Sequence, residues 1–161
     1  ADADAFWSQQ SAQRRAKNYD DMLESGERSI SSPALINQWL SAINARYNPV
    51  LTAYNLAFDF GKCRNTRINL GIFNSRFCLM KTAKRKIGVL ADYQQFCYDN
   101  NLLTAKLRKP SMTADAMAKF ICNDLPDEPH TALEDARDYE ALILAYLLTT
   151  QTRKNLLEIG K

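Results

Sequence analysis

His130 stands immediately before Thr131-Ala132-Leu133-Glu134-Asp135-Ala136, an order that puts an imidazole beside a carboxylate. Thr131 and Glu134 have the spacing of a capping box, in which each side chain satisfies a backbone N–H that the helix start leaves open. A helix therefore begins at Thr131. Asp135 falls just past its first turn, and His130 stays on the loop ahead. Such a pair suits water activation: the carboxylate holds a cation that lowers the pKa of bound water, and the imidazole takes the proton. The plainer readings are a surface histidine and an ordinary first-turn acid favoured by the helix dipole. His130 is the only histidine of the chain, which excludes most His/Cys zinc schemes.

A second segment, Asn55-Leu56-Ala57-Phe58-Asp59, follows the β-prone run Val50 to Tyr54. Asn55 suits the N-cap of a helix over roughly Leu56 to Cys63. Asp59 lies one turn beyond Asn55, so both share a helix face, and Phe58 and Phe60 flank it with apolar surface. Asp59 is either a metal-facing acid or a second dipole-favoured one. Asn55 is a cap that could also meet a substrate.

The elements that must carry these groups can be traced along the chain. Pro33 reads as the first residue of a helix through Leu35, Ile36, Trp39, Leu40 and Ile43, closed by Pro49. Val50 to Tyr54 is one strand, and Arg76 to Met80 is a second candidate. Residues Arg64 to Asn74 read as loop. Helices follow over Leu90 to Asn100 and Thr113 to Cys122, then a Pro-containing turn over Leu125 to Pro129, then the long helix from Thr131 to about Thr149. Strand–helix–strand–helix from Val50 onward predicts a βαβ crossover. Two strands alone make a poor sheet, and the first fifty residues offer no convincing further one.

The chain has 161 residues, 46% of them hydrophobic, and a formal net charge of +3. That suffices for one cored domain and permits a polyanionic partner without demanding one. Cys63, Cys78, Cys97 and Cys122 have no C-x-x-C spacing, so reduced thiols and a cytoplasmic protein are expected. The apolar run Ala141 to Leu148 falls far short of the ~20 residues of a membrane span, and no signal peptide is expected. Basic runs at Lys81, Lys84, Arg85 and Lys86, at Lys106, Arg108 and Lys109, and at Lys62, Arg64 and Arg67 are solvated faces or phosphate contacts. Phe6, Trp7 and Trp39 could stack on bases, although Trp39 fits a core better.

Thr52-Ala53-Tyr54-Asn55-Leu56-Ala57-Phe58-Asp59 resembles the second motif of the DnaQ-like (DEDDh) 3′→5′ exonucleases, hydrophobic–His–Asn–x–x–Phe–Asp, with Tyr54 where that family often has His. His130 to Ala136 resembles the third motif, His-x-Ala-Leu-x-Asp-Ala, throughout. The resemblance spans about Lys17 to Leu148. It implies an α/β, ribonuclease H-like fold with helices packed on a small mixed sheet. It also implies two Mg²⁺ or Mn²⁺ ions and hydrolysis of phosphodiester bonds at single-stranded DNA or RNA 3′ ends. Asp135 and Asp59 would be metal ligands and His130 the general base, with Asn55, Tyr54 and Phe58 meeting substrate.

The family's first motif, Asp-x-Glu at the end of an opening strand, has no counterpart here. Asp2 and Asp4 are spaced alike, but Asp4 is not Glu and no apolar strand precedes them. The expectation is one exonuclease-like domain over residues 1–161, N-terminally incomplete and inactive by itself. The competing expectation is a catalytically silent relative that binds nucleic acid or protein.

Overall fold

In the computed structural model, residues 17, 19–123, 125–126 and 132–159 are described, with side chains through Thr150. Asp2, Asp4, Phe6, Trp7, His130 and Thr131 lie outside the described residues.

Residues 19–24 are helical. Helix α1 (Pro33–Tyr47) starts where Pro33 predicts, with Ser32 Oγ accepting the Leu35 N–H, and closes on Asn48 in the left-handed region. Strand β1 (Val50–Ala53) leads into α2 (Leu56–Asn65). A 3₁₀ turn (Leu70–Ile72) then precedes β2 (Ser75–Cys78), which pairs in parallel with β1 in the register Val50↔Ser75 to Ala53↔Cys78. The βαβ crossover is therefore present. Among the described residues the sheet is two-stranded and wholly parallel, where a mixed one was expected.

The second strand ends earlier than its apolar run suggested. Leu79 and Met80 open helix α3 (Leu79–Lys86) rather than prolonging β2. A short apolar run reads the same in a strand and in a buried helix turn; here Leu79 and Ala83, one turn apart, both enter the core. Helix α4 (Ala91–Asp99) and helix α5 (Ala114–Ile121) follow, the latter capped by Thr113 Oγ1 on the Ala116 N–H. The C-terminal helical run comprises α6 (Ala132–Glu134), a π-helical turn (Asp135–Glu140) and α7 (Ala141–Ile159), and so extends past the expected Thr149.

The core lies among these helices. Leu79, Ala83 and Ile87 of the α3 region meet Tyr93 and Cys97 of α4, Met117 of α5, and Tyr139, Ile143 and Leu147 of the C-terminal run. Tyr93 and Phe120 add an edge-to-face ring pair at 5.2 Å. Gly88 is hemmed in: a Cβ there would lie 2.8 Å from the Lys84 carbonyl and 2.8 Å from Met112 Sδ.

Helix α1 contributes no buried side chain, and Trp39, expected in the core, is 63% exposed. Ile36, Leu40 and Ile43 are half-buried, and polar bonds add to the attachment. Asn37 Nδ2 donates to the Arg67 carbonyl, Asn37 Oδ1 accepts the Asn69 N–H, and Asn44 Nδ2 donates to the Ile72 carbonyl. All four cysteines are free thiols. Among the described residues, no helix is long and apolar enough to cross a membrane.

Candidate functional site

The chain leaves β1 at Tyr54 and turns at once into α2. Asn55 stands at the N-cap position, but its side chain makes no capping bond. Its carbonyl accepts the N–H groups of Phe58 and Asp59 instead, which starts the helix through the backbone. Asn55 is exposed and its side chain is not committed to the cap.

Asp59 is half-buried in the first turn. Loss of solvent pushes its carboxyl above the usual carboxylate range, and a backbone hydrogen bond opposes the shift only in part. Its negative charge, after burial, also pushes up the Cys63 thiol one turn on. Phe58 is 48% exposed, with Lys62 Nζ 5.0 Å from its ring centre, a cation–π pair on the surface of α2.

Tyr54 is placed differently from its expected contact with substrate. It is 8% exposed, belongs to the core, and its hydroxyl donates to the Met112 carbonyl at 2.7 Å. Packing is the physical reason: at the end of β1 the ring enters the core cluster with Met117 and Leu79. The Tyr54 carbonyl, at the sheet's end, accepts the Met80 N–H.

Asp135 opens the π-helical turn, and its Oδ1 is shielded from solvent. Glu140 closes the same turn. In a regular α-helix two residues five apart diverge by roughly 140°, but an i→i+5 turn brings them toward one face. The Ala141 N–H bonds the Ala136 carbonyl in that i→i+5 pattern.

Glu140 is the residue that sequence reasoning missed. Burial pushes its carboxyl up, a backbone hydrogen bond from Tyr54 opposes this, and the charges of Asp59 and Asp135 add to the upward push. Two acids from segments distant in sequence thus contribute to the shift at one carboxyl. No signal in the sequence singled it out, because its grouping with Asp135 depends on the π turn.

The remaining acids of the segment are engaged elsewhere. Glu134 accepts two bonds of 2.9 Å from Arg28 Nη2, one at each carboxylate oxygen, tying the segment after residues 19–24 to α6. Its expected cap partner, Thr131, and the expected base, His130, lie outside the described residues. Asp138 is paired with Arg137 at 2.7 Å, and that guanidinium holds its carboxyl below the usual range.

Asp59, Asp135 and Glu140 are hard oxygen donors of the kind Mg²⁺ and Mn²⁺ take. Among the described residues, however, no three His, Cys, Asp or Glu side chains converge closely enough to hold an ion. In chemistry the carboxylates fit a divalent cation; in geometry they form only part of a shell.

The expected basic runs fall on several elements. Lys81, Lys84, Arg85 and Lys86 are exposed on α3. Lys106, Arg108 and Lys109 lie on the loop between α4 and α5, where Arg108 Nη2 donates to Asn101 Oδ1. Arg64 and Arg67 line a concavity of about 600 Å³ beside α2.

Compared with known proteins, the chain matches no family model, no curated protein and no solved structure.

Proposed function

We propose that this chain is a ribonuclease H-like domain of DEDDh type that takes part in metal-dependent 3′→5′ exonucleolytic hydrolysis of single-stranded nucleic acid. Asp59 and Asp135 serve as ligands for Mg²⁺ or Mn²⁺, and His130 as the base. The observation that carries this reading is the placing of half-buried Asp59 in the first turn after β1 and of Asp135, with its shielded Oδ1, at the start of the π-helical turn; the charges of both add to the upward push that burial exerts on Glu140. Like charges gathered in a desolvated place repel one another, and a divalent cation relieves that repulsion.

The reading assigns to the cation the polarisation of water and of the scissile phosphate. The protein's own groups position and hold protons. Asp59 is fixed by the first turn of α2, Asp135 by the π turn, and Glu140 is steadied by the Tyr54 N–H. Exposed Asn55 and Phe58 flank Asp59, where they can meet a strand end. With only part of a coordination shell present, the 161-residue chain is expected to bind the ion weakly and to turn over no substrate.

Titration with Mn²⁺ tests the reading. Paramagnetic broadening of NMR signals is expected at Asp59, Asp135 and Glu140, with millimolar affinity because Mg²⁺-type ions dehydrate reluctantly for few ligands. Asp135→Asn should abolish it. Broadening centred elsewhere, or none, sinks the proposal. A 3′-labelled oligonucleotide assay adds a second check: robust hydrolysis by this chain would overturn the view that the site is partial. The runner-up is a silent nucleic-acid- or protein-binding relative, favoured by the missing Asp-x-Glu motif. It predicts strand or partner binding that is indifferent to Mn²⁺.

A further inference from the structure

The concavity beside α2 is not used by the acid site. Its wall on α2 is the face bearing Ala57, Phe60, Gly61 and Arg64, and the chain beyond the helix closes it with Arg67, Ile68, Asn69 and Leu70. At about 100° per residue, Asp59 falls on the opposite face of the same helix. The pocket is therefore a separate place in the molecule.

Arg67 is held in an unusual conformation. Its φ is 61°, in the left-handed region that favours glycine. The reason lies in the end of α2. The Arg67 N–H bonds the Arg64 carbonyl and the Ile68 N–H bonds the Cys63 carbonyl, a Schellman closure in which Arg67 occupies the position glycine usually takes. Asn37 of α1 clamps the same turn from outside, donating to the Arg67 carbonyl and accepting the Asn69 N–H. The turn is over-determined, and it directs an arginine where a glycine would be easier. Strain held in place this way is a recognised mark of a working position.

The charges are unspent. Among the described residues neither Arg64 nor Arg67 makes an ion pair. The C-terminal end of a helix carries only about half a negative charge, which two guanidiniums outweigh. Apart from Asn69 the rest of the wall is apolar, and Phe60 is backed by the Arg76 guanidinium, 4.8 Å from its ring centre. Arg76 is itself anchored on the carbonyls of Phe73 and Gly71. The volume lies within the ~300–1,000 Å³ of small-molecule sites.

We propose that this concavity binds a nucleoside phosphate, with Arg64 and Arg67 on the phosphate and the base against Phe60, Ile68 and Leu70. Guanidiniums match phosphate oxygens in fork geometry, and a base has a face to lay on an aromatic ring. The shared chemistry is that of a free mononucleotide and of one unit in a strand.

Calorimetric titration in EDTA isolates this site from any metal chemistry. Adenosine 5′-monophosphate is expected to bind saturably, and adenosine at least about tenfold more weakly, since a charged hydrogen-bonded contact is lost. Arg64→Gln and Arg67→Gly should each weaken the nucleotide about tenfold or more. Arg67→Gly is the safeguard on folding, because glycine suits that backbone; its melting temperature should equal or exceed that of the parent. Asp135→Asn should leave the affinity unchanged, so failure of the exonuclease reading and failure of this one are separable. A short oligonucleotide gives the last arm. Tighter binding than the mononucleotide, lost in the same two variants, identifies a strand as the source; equal or weaker binding identifies the free nucleotide. Parent-like affinity in both arginine variants, equal affinity for adenosine, or no saturable binding overturns the proposal.

Discussion

Asp59 and Glu140 carry charge where water is scarce, and this has a consequence for stability. Burial is the leading cause of the upward shift at both. The folded state therefore holds these protons more tightly than the unfolded chain does. The favourable contribution is complete below the ordinary carboxyl range and is lost as pH rises through the raised folded value. At neutral pH both charges burden the fold. Asp59→Asn is expected to raise urea-unfolding stability near pH 7 by at most about 1 kcal/mol, since partial exposure screens the effect. Near pH 4 the gain should shrink toward zero, and a pH-independent gain would mean that packing, not charge, is responsible. Tyr54 carries the opposite lesson. It lies in a motif-like stretch, yet its hydroxyl is committed to the Met112 carbonyl. The resemblance made it a candidate for substrate contact, and its packing assigned it to the core.

At the scale of elements, the π-helical turn sets how Asp135 and Glu140 are disposed to one another. It behaves as a single inserted residue in an otherwise α-helical run. Removing one exposed residue from it, Arg137, would put Asp135 and Glu140 four apart in a regular helix, still on one face. Inserting one alanine after Arg137 would instead rotate Glu140 by about 100° away from Asp135. Mn²⁺ broadening at Glu140 is therefore expected to survive the deletion and to disappear with the insertion, with helical circular dichroism kept in both. The same outcome for both variants would show that the turn does not set the juxtaposition. Other element boundaries were legible because local chemistry specified them. Pro33 and Ser32 start α1, Thr113 caps α5, and Asn55 marks the entry to α2, although through its backbone and not its side chain. The junction of β2 and α3 was not legible, because the run Phe77 to Met80 is apolar in either conformation.

For the whole molecule, stability should divide unevenly. Ile143 is fully buried in the helical core, whereas Trp39 on α1 is 63% exposed. Ile143→Ala is expected to cost about 2–5 kcal/mol in urea unfolding, by lost burial and a residual cavity. Trp39→Ala should stay within about 0.5 kcal/mol, as exposed substitutions do. A large cost at Trp39 would mean that this face is covered in solution. The two-stranded sheet is a small part of this architecture, and the helices α3, α4, α5 and α7 carry the core.

The sequence by itself determined the βαβ crossover, most helix starts and the choice of Asp59 and Asp135 as acids to watch. These are local matters of caps, breakers, periodicity and side-chain type, all written within a few residues. Tertiary structure alone decided that Tyr54 is core, that Trp39 is not, that Glu140 is pushed up by burial with the charges of Asp59 and Asp135 adding to it, and that Arg64 and Arg67 face a common concavity. Each of those depends on what a distant element presents across space, and on one helical turn whose pitch no hydrophobic pattern announces.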